Sequence, residues 1–234
     1  MVRAAILVSG EGRRMRCLLD SAFFQEIDNL EIAGVVSSDP EAPALRSARS
    51  SNVPAYVVDE HLFPNTGSYG LALLNMLKDI DTDLVVLAGF TPGMGPAARY
   101  YSGRTIGVFP SLIPAFENLR EQEAVEAAIL RGVRLTGATA YLADEEGRVG
   151  RVLEQRAVPV LRTDTPEILG ERIFEQAQRE LLLEAVRAYC VSAKLREQQA
   201  QEELEEQKAQ KTQPPTETEK EAEPETESEE TGEE

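Results

Sequence analysis

The chain has 234 residues, 42% of them hydrophobic, enough for one α/β domain with a sizeable core plus an appendage. The net charge of −17 is unevenly placed: over residues 194–234 fifteen glutamates stand against four lysines and one arginine, which is ten of it, and the body is only mildly acidic. This balance excludes the basic stripe of a nucleic-acid binder, and two cysteines exclude a disulfide framework or a cysteine metal site. Cys17 and Cys190 fall in helical, partly apolar stretches and are expected as buried free thiols. The opening MVRAAILVSG is cut short by Gly10, too early for a signal peptide, and no later run approaches a membrane span; the expected setting is cytoplasmic.

In chain order the hydropathy pattern alternates. Arg3–Val8 is an apolar run ended by Ser9-Gly10-Glu11-Gly12, and a helical stretch follows from Arg13 to about Ile27. Glu31–Ser37 predicts a second strand, with a helix near Ala42–Arg49 and a third strand at Ala55–Val58. Ser68–Ile80 carries a 3.6-residue period through Leu71, Leu74 and Leu77. Asp83–Ala88 is the clearest buried strand, continuously apolar between Asp83 and Gly89. Arg104–Phe109 is another candidate strand and Glu121–Leu130 another helix. Two longer strands, near Arg134–Leu142 and Val152–Val160, flank a polar loop at Ala143–Arg151. Asp164-Thr165-Pro166-Glu167 starts a helix running to about Cys190, with a capping side chain, a first-turn proline and an acid at the positive end of the dipole.

Strands separated by helices through short connections predict an α/β fold with a doubly wound, mostly parallel, Rossmann-like sheet over residues 1–193. Residues 194–211 are strong helix formers with almost no apolar face, which predicts a charged, solvent-exposed helix. Residues 212–234, rich in Pro, Thr and Glu, predict an acidic disordered tail. The tail reads as a solvated, self-repelling segment; a basic protein partner for it is the alternative.

Three segments are candidates for chemistry. Gly10-Glu11-Gly12-Arg13-Arg14 joins the first strand to the first helix, where a glycine turn lets backbone amides approach an anion. It lacks the third glycine of a dinucleotide fingerprint, so a plain tight turn and a phosphate cradle both fit; the two arginines favour an anion. Leu87-Ala88-Gly89-Phe90 ends the most buried strand, at the sheet edge where ligands bind in such folds. Tyr101–Pro114 contains a strand that leaves the sheet abruptly at Pro110-Ser111-Leu112-Ile113-Pro114, which reads as a rigid wall beside that edge or as an ordinary proline-rich exit loop.

The motifs VSGEG, DLVVLAGF, YSGRTIGVFPSLIP, GVRLTGATAYLADEEG, AVPV and DTPEILGERI follow one another along the chain. Over about residues 2–190 they resemble the phosphoribosylglycinamide formyltransferases, purine-pathway enzymes that move a formyl group from 10-formyltetrahydrofolate to an amine. The resemblance implies the formyltransferase fold, a phosphorylated small molecule at Gly10, Glu11, Gly12, Arg13 and Arg14, and a folate pocket at Leu87, Ala88, Gly89, Phe90 and Thr91. It implies 10-formyltetrahydrofolate as the co-substrate if binding is retained, and no metal, nucleic acid or membrane.

The resemblance also implies catalysis by an Asn-x-His just before the Pro-Ser-Leu-Ile-Pro exit and by an Asp in the loop between the two long strands. Here the Asn position is Gly107, the His position is Phe109, and a gap-free Thr136–Val160 segment puts the Asp position on Arg148. The family's Ser-Asn after the glycine turn is Arg13-Arg14, its Glu-His pair on the last helix is Ala177-Gln178, and its Met-Arg after Gly89-Phe90 is Thr91-Pro92. The single histidine, His61, lies in a loop away from the ligand edge. Two readings follow: a catalytically degenerate formyltransferase fold acting as a ligand-binding or interaction module, or an active 10-formyltetrahydrofolate-dependent transferase with a rearranged site using Asp144, Glu145 or Glu146.

Overall fold

The computed structural model describes residues 1–212, with side chains through residue 205; the expected tail beyond that lies outside the described residues. Strands β1 (Val2–Val8), β2 (Leu30–Ser37), β3 (Ala55–Val57), β4 (Leu84–Leu87) and β5 (Thr105–Phe109) run parallel. β6 (Leu135–Ala143) and β7 (Val149–Pro159) complete the sheet as antiparallel neighbours, in the order β3-β2-β1-β4-β5-β6-β7. Helices α1 (Arg13–Phe23), α2 (Pro43–Ser50), α3 (Thr66–Asp79), α4 (Pro96–Tyr100) and α5 (Glu121–Leu130) connect the strands. α6 (Pro166–Ile173), a π-turn at Phe174–Gln178 and α7 (Arg179–Thr212) follow β7. The doubly wound, mostly parallel sheet is the one the alternation predicts.

The central strands bury both faces, which is why their sequences are unbroken apolar runs. Side chains alternate across a strand. Ile6, Val86 and Ile106 therefore form one row with Leu18, Leu169 and Leu181, while Ala5, Leu7 and Val85 face Leu73, Leu77 and Tyr101 on the other side. Each large apolar side chain so buried contributes about 1.5–3 kcal/mol. A third, smaller cluster of Phe109, Ala124, Tyr141 and Ala143 closes the sheet near the end of β5.

The boundaries differ from the sequence reading in a few places. α1 stops at Phe23 because Gln25 turns into the left-handed region at φ 55° and its N–H bonds back to Ala22. β7 starts three residues early because the β6–β7 hairpin keeps pairing out to Ala143 and Val149. α4, five residues long, has too few turns to show a period. The chain divides into units Met1–Leu195 and Arg196–Glu234; in the second, residues 196–205 are all exposed. Among the described residues no helix is long and apolar enough to cross a membrane, and no three His, Cys, Asp or Glu side chains are grouped to hold a metal.

The turn into α6 is fixed by a charge pair. The Asp164 carboxylate, 1% exposed, takes both Arg172 guanidinium nitrogens at 2.6 and 2.7 Å and the Leu161 N–H at 2.8 Å. The Arg172 bond, with the Leu161 N–H behind it, holds this carboxyl below the usual carboxylate range. A lowered folded value means the contribution is present above about pH 4 and is lost as pH falls through that value. Asp164→Asn is expected to lower the melting temperature by roughly 5 °C or more at neutral pH, with the gap to wild type narrowing in acid. Thermal scans from neutral to acid pH check this, and an equal gap at every pH would show that the charge contributes nothing.

Candidate functional site

The strand order reverses between β1 and β4, so the loops leaving their carboxyl ends splay apart and open a crevice. The glycine turn lines one wall. Ser9 N–H donates to the Gly89 carbonyl at 2.9 Å, and Thr91 N–H donates to Ser9 Oγ at 3.0 Å, tying the turn to the loop after β4. Gly12 sits at φ 71° as the residue before α1, and a Cβ there would lie 2.8 Å from that of Ala44, so only glycine fits. α1 has no side-chain cap and no acid in its first turn, and it points into the crevice. The cleft at this end has a volume of about 230 Å³, bounded by the Gly10–Arg14 turn, Ala88, Gly89, Gly170, Phe174 and Gln178.

The two arginines of the turn are spoken for. Arg13 forms a two-pronged pair with Glu171 at 2.7 and 2.8 Å, lies 3.7 Å from Glu175, and its guanidinium covers the Phe174 ring at 3.9 Å. The Glu171 bond raises its already high pKa further. Arg14 is buried; it donates to the Val108 carbonyl at 2.6 Å and to Glu121 at 2.5 Å, lacing α1 to β5 and to the start of α5. Both arginines that favour an anion in the sequence reading thus already bond to carboxylates within the chain.

Of the residues expected around a folate, Ala88 and Gly89 line the cleft. Leu87 and Phe90 pack instead against the cluster on the other face of the sheet, Phe90 stacking on Tyr69 with centroids 6.5 Å apart. Thr91 is the hydrogen-bonding partner of Ser9. His61 is exposed on a short 3₁₀ turn at Glu60–Leu62.

The positions expected to carry catalysis sit at the end of β5 and in the β6–β7 loop. Gly107 pairs across the sheet with Tyr141, and a Cβ on Gly107 would lie 2.5 Å from the tyrosine ring and hydroxyl. An aromatic ring over a strand glycine fills the space its missing side chain leaves. Burial, with the Glu121 charge nearby, pushes the Tyr141 hydroxyl up to about 12 against the opposing pull of Arg14, so it stays protonated. Phe109 is 7% exposed and packs with Tyr141, Ala124 and Ile113. Arg148 is exposed and pairs with Asp144 at 3.4 Å and Glu146 at 3.2 Å. Against the cost of partial burial, the Arg148 and Glu146 N–H groups at 2.8 and 3.0 Å bring the Asp144 carboxyl below its ordinary value. Glu145 lies 3.9 Å from Arg99.

On the last helix, Ala177 is in the core and Gln178, 7% exposed, faces the cleft. The sequence reading missed Tyr141, Glu121, Phe174 and Glu171. Only the cross-strand register identifies Tyr141 as the partner of Gly107, and only the fold brings Glu121 and Glu171 to the arginines of a turn more than a hundred residues away.

The Gly107–Tyr141 contact gives a direct test. Gly107→Ala is expected to cost about 1–3 kcal/mol by overpacking, and much less in a Tyr141→Ala background, because residues in contact do not add. Urea unfolding of the four proteins measures this, and equal costs in both backgrounds would show that the ring does not hold the glycine's place.

The formyl transferase family model matches residues 2–186. The phosphoribosylglycinamide formyltransferase of Mycobacterium tuberculosis is 37% identical over 188 residues, covering 80% of this chain and 84% of that protein. The bovine trifunctional purine biosynthetic protein adenosine-3 is 35% identical over 173 residues; the match takes 73% of this chain but only 17% of that much longer protein. Glycinamide ribonucleotide transformylase 1 of Symbiobacterium toebii superimposes with a TM-score of 0.76 at 32% identity, covering 82% of this chain and 89% of that one. Fold, motif order and overall likeness agree, and the chain belongs to the phosphoribosylglycinamide formyltransferase family.

Proposed function

We propose that this protein is a catalytically silent member of its family, serving as a ligand-binding or interaction module. The observation that carries this reading is the packing of Gly107 and Phe109 against Tyr141 where the transfer chemistry belongs. Formyl transfer needs a donor to the tetrahedral oxyanion and a group that moves a proton from the attacking amine to the leaving nitrogen. Gly107 has no side-chain donor and Phe109 can neither give nor take a proton. Arg148 cannot act as a base near neutral pH. Asp144, one of the possible substitutes, already holds two backbone N–H groups and the Arg148 side chain.

The family's co-substrate, 10-formyltetrahydrofolate, is a poor fit to these residues as a formyl donor. Tyr141 stands over Gly107, Arg14 crosses to Val108, and Leu87 and Phe90 pack on the opposite face. The Tyr141 hydroxyl, held protonated at the place of the missing side chain, favours the second reading: a working transferase in which it replaces one donor and Asp144, Glu145 or Glu146 serves as base.

Formyl transfer from 10-formyltetrahydrofolate to glycinamide ribonucleotide, followed by folate absorbance beside an active family enzyme, separates the two. The folded protein is expected to be slower by at least about a thousandfold. Transfer within about tenfold of the active enzyme, falling on Tyr141→Phe or Asp144→Asn, would establish the second reading instead.

A further inference from the structure

Three exposed leucines sit on two chain segments that lie side by side. Leu130 ends α5 at 85% exposed, Leu135 opens β6 at 61%, and Leu161 follows β7 at 50%. Strand register brings the segments together: Leu135 pairs with Pro159, and the Val160 N–H donates to the Arg134 carbonyl at 3.0 Å. The Val133 N–H donates to the Ala128 carbonyl at 3.2 Å, which ties the same place to the end of α5. One exposed leucine is ordinary, whereas several together inside a polar rim mark a surface that meets a partner.

The charge here is the reverse of that of the chain. Arg131, Arg134 and Arg162 stand exposed among the leucines and form no ion pair among the described residues. Arg131 lies over the Phe116 ring at 5.4 Å, a contact that leaves its charge without a carboxylate. Residues 127–143 and 155–163 contain no Asp or Glu, in a chain that has 41 of them. The next acid, Asp164, is sealed in its pair with Arg172. No residue of this surface lines the cleft at the glycine turn.

The chemistry selects the occupant. Guanidiniums without partners favour carboxylates, which they bind in a two-pronged way. The leucines between them gain only from apolar contact. A nucleic acid supplies phosphates but little for the leucines, and the net charge of −17 opposes it. An anionic membrane meets the same repulsion.

We infer that the surface formed by residues 130–135 and 159–162 docks an acidic protein segment that carries apolar side chains, with its carboxylates on Arg131, Arg134 and Arg162 and its apolar groups on the three leucines. This goes beyond the proposed function: it names a partner at a second place, and it holds whether or not the protein transfers formyl groups.

The test is selection of random displayed peptides on the full chain, with the enriched peptides then titrated by fluorescence anisotropy. The enriched peptides are expected to combine Asp or Glu with Leu or Phe and to bind saturably. Replacing their acids by Asn and Gln, or their apolar residues by Ser, should weaken binding at least about tenfold. Arg134→Glu with Arg162→Glu in the protein should do the same, and so should Leu135→Ser with Leu161→Ser. All four positions are exposed, so an unchanged melting temperature is expected for both variants. No enrichment, enriched peptides without acids, or peptides indifferent to both variants would overturn the inference. Tighter binding of single-stranded DNA or of phosphatidylserine vesicles would do so as well. A dimer that dissociates on the same substitutions would assign the face to a second copy and overturn the choice of partner. Formyl-transfer activity is a separate readout: its presence would sink the silent reading and leave this surface untouched.

Discussion

A guanidinium buried under a ligand crevice constrains everything near it. Removing such a cation from water is costly unless it is paired and its hydrogens are satisfied. Arg14 meets that demand with the Val108 carbonyl and the Glu121 carboxylate. In doing so it ties the first helix to the strand that carries Gly107 and Phe109 and to the start of α5. The same side chain that suggests an anion site in the sequence is thereby an internal brace. Arg13 behaves alike on the outer side, with Glu171 and Glu175 around it and Phe174 beneath.

Around this brace the region is packed rather than vacant. Phe109 is a core residue among Tyr141, Ala124 and Ile113, and the Tyr141 ring covers Gly107. Three glutamates, Glu171, Glu175 and Glu121, pair with the two arginines and offset their charge. The strand ends that open the crevice are in place, and Arg13 and Arg14 beside them bond to groups within the chain. Gln178 and the uncapped start of α1 both face the cleft.

Much of the fold was legible because it rests on short-range signals. The apolar runs of β1 and β4, the period of α3 and the Thr165-Pro166-Glu167 start of α6 each state their structure within a few residues. The β6–β7 hairpin was legible as two strands but not in its reach, since pairing out to Val149 depends on the partner strand. The candidate site was half legible: motif order singles out Gly107, Phe109 and Arg148, but not what packs around them. Tyr141 meets Gly107 through antiparallel register, and Arg14 meets Glu121 across more than a hundred residues. Pairings at that range leave no trace in hydropathy or spacing.

The ring over Gly107 also gives the chain a direction of change. Any side chain placed at 107 meets Tyr141 at once, so a larger residue introduced there by one substitution passes through a strained protein. Shrinking Tyr141 first opens a void beside Phe109 and Ala124, which is unfavourable in its own right. The two positions form a ratchet: each holds the other in place, and a larger residue at 107 is accommodated only when both change together.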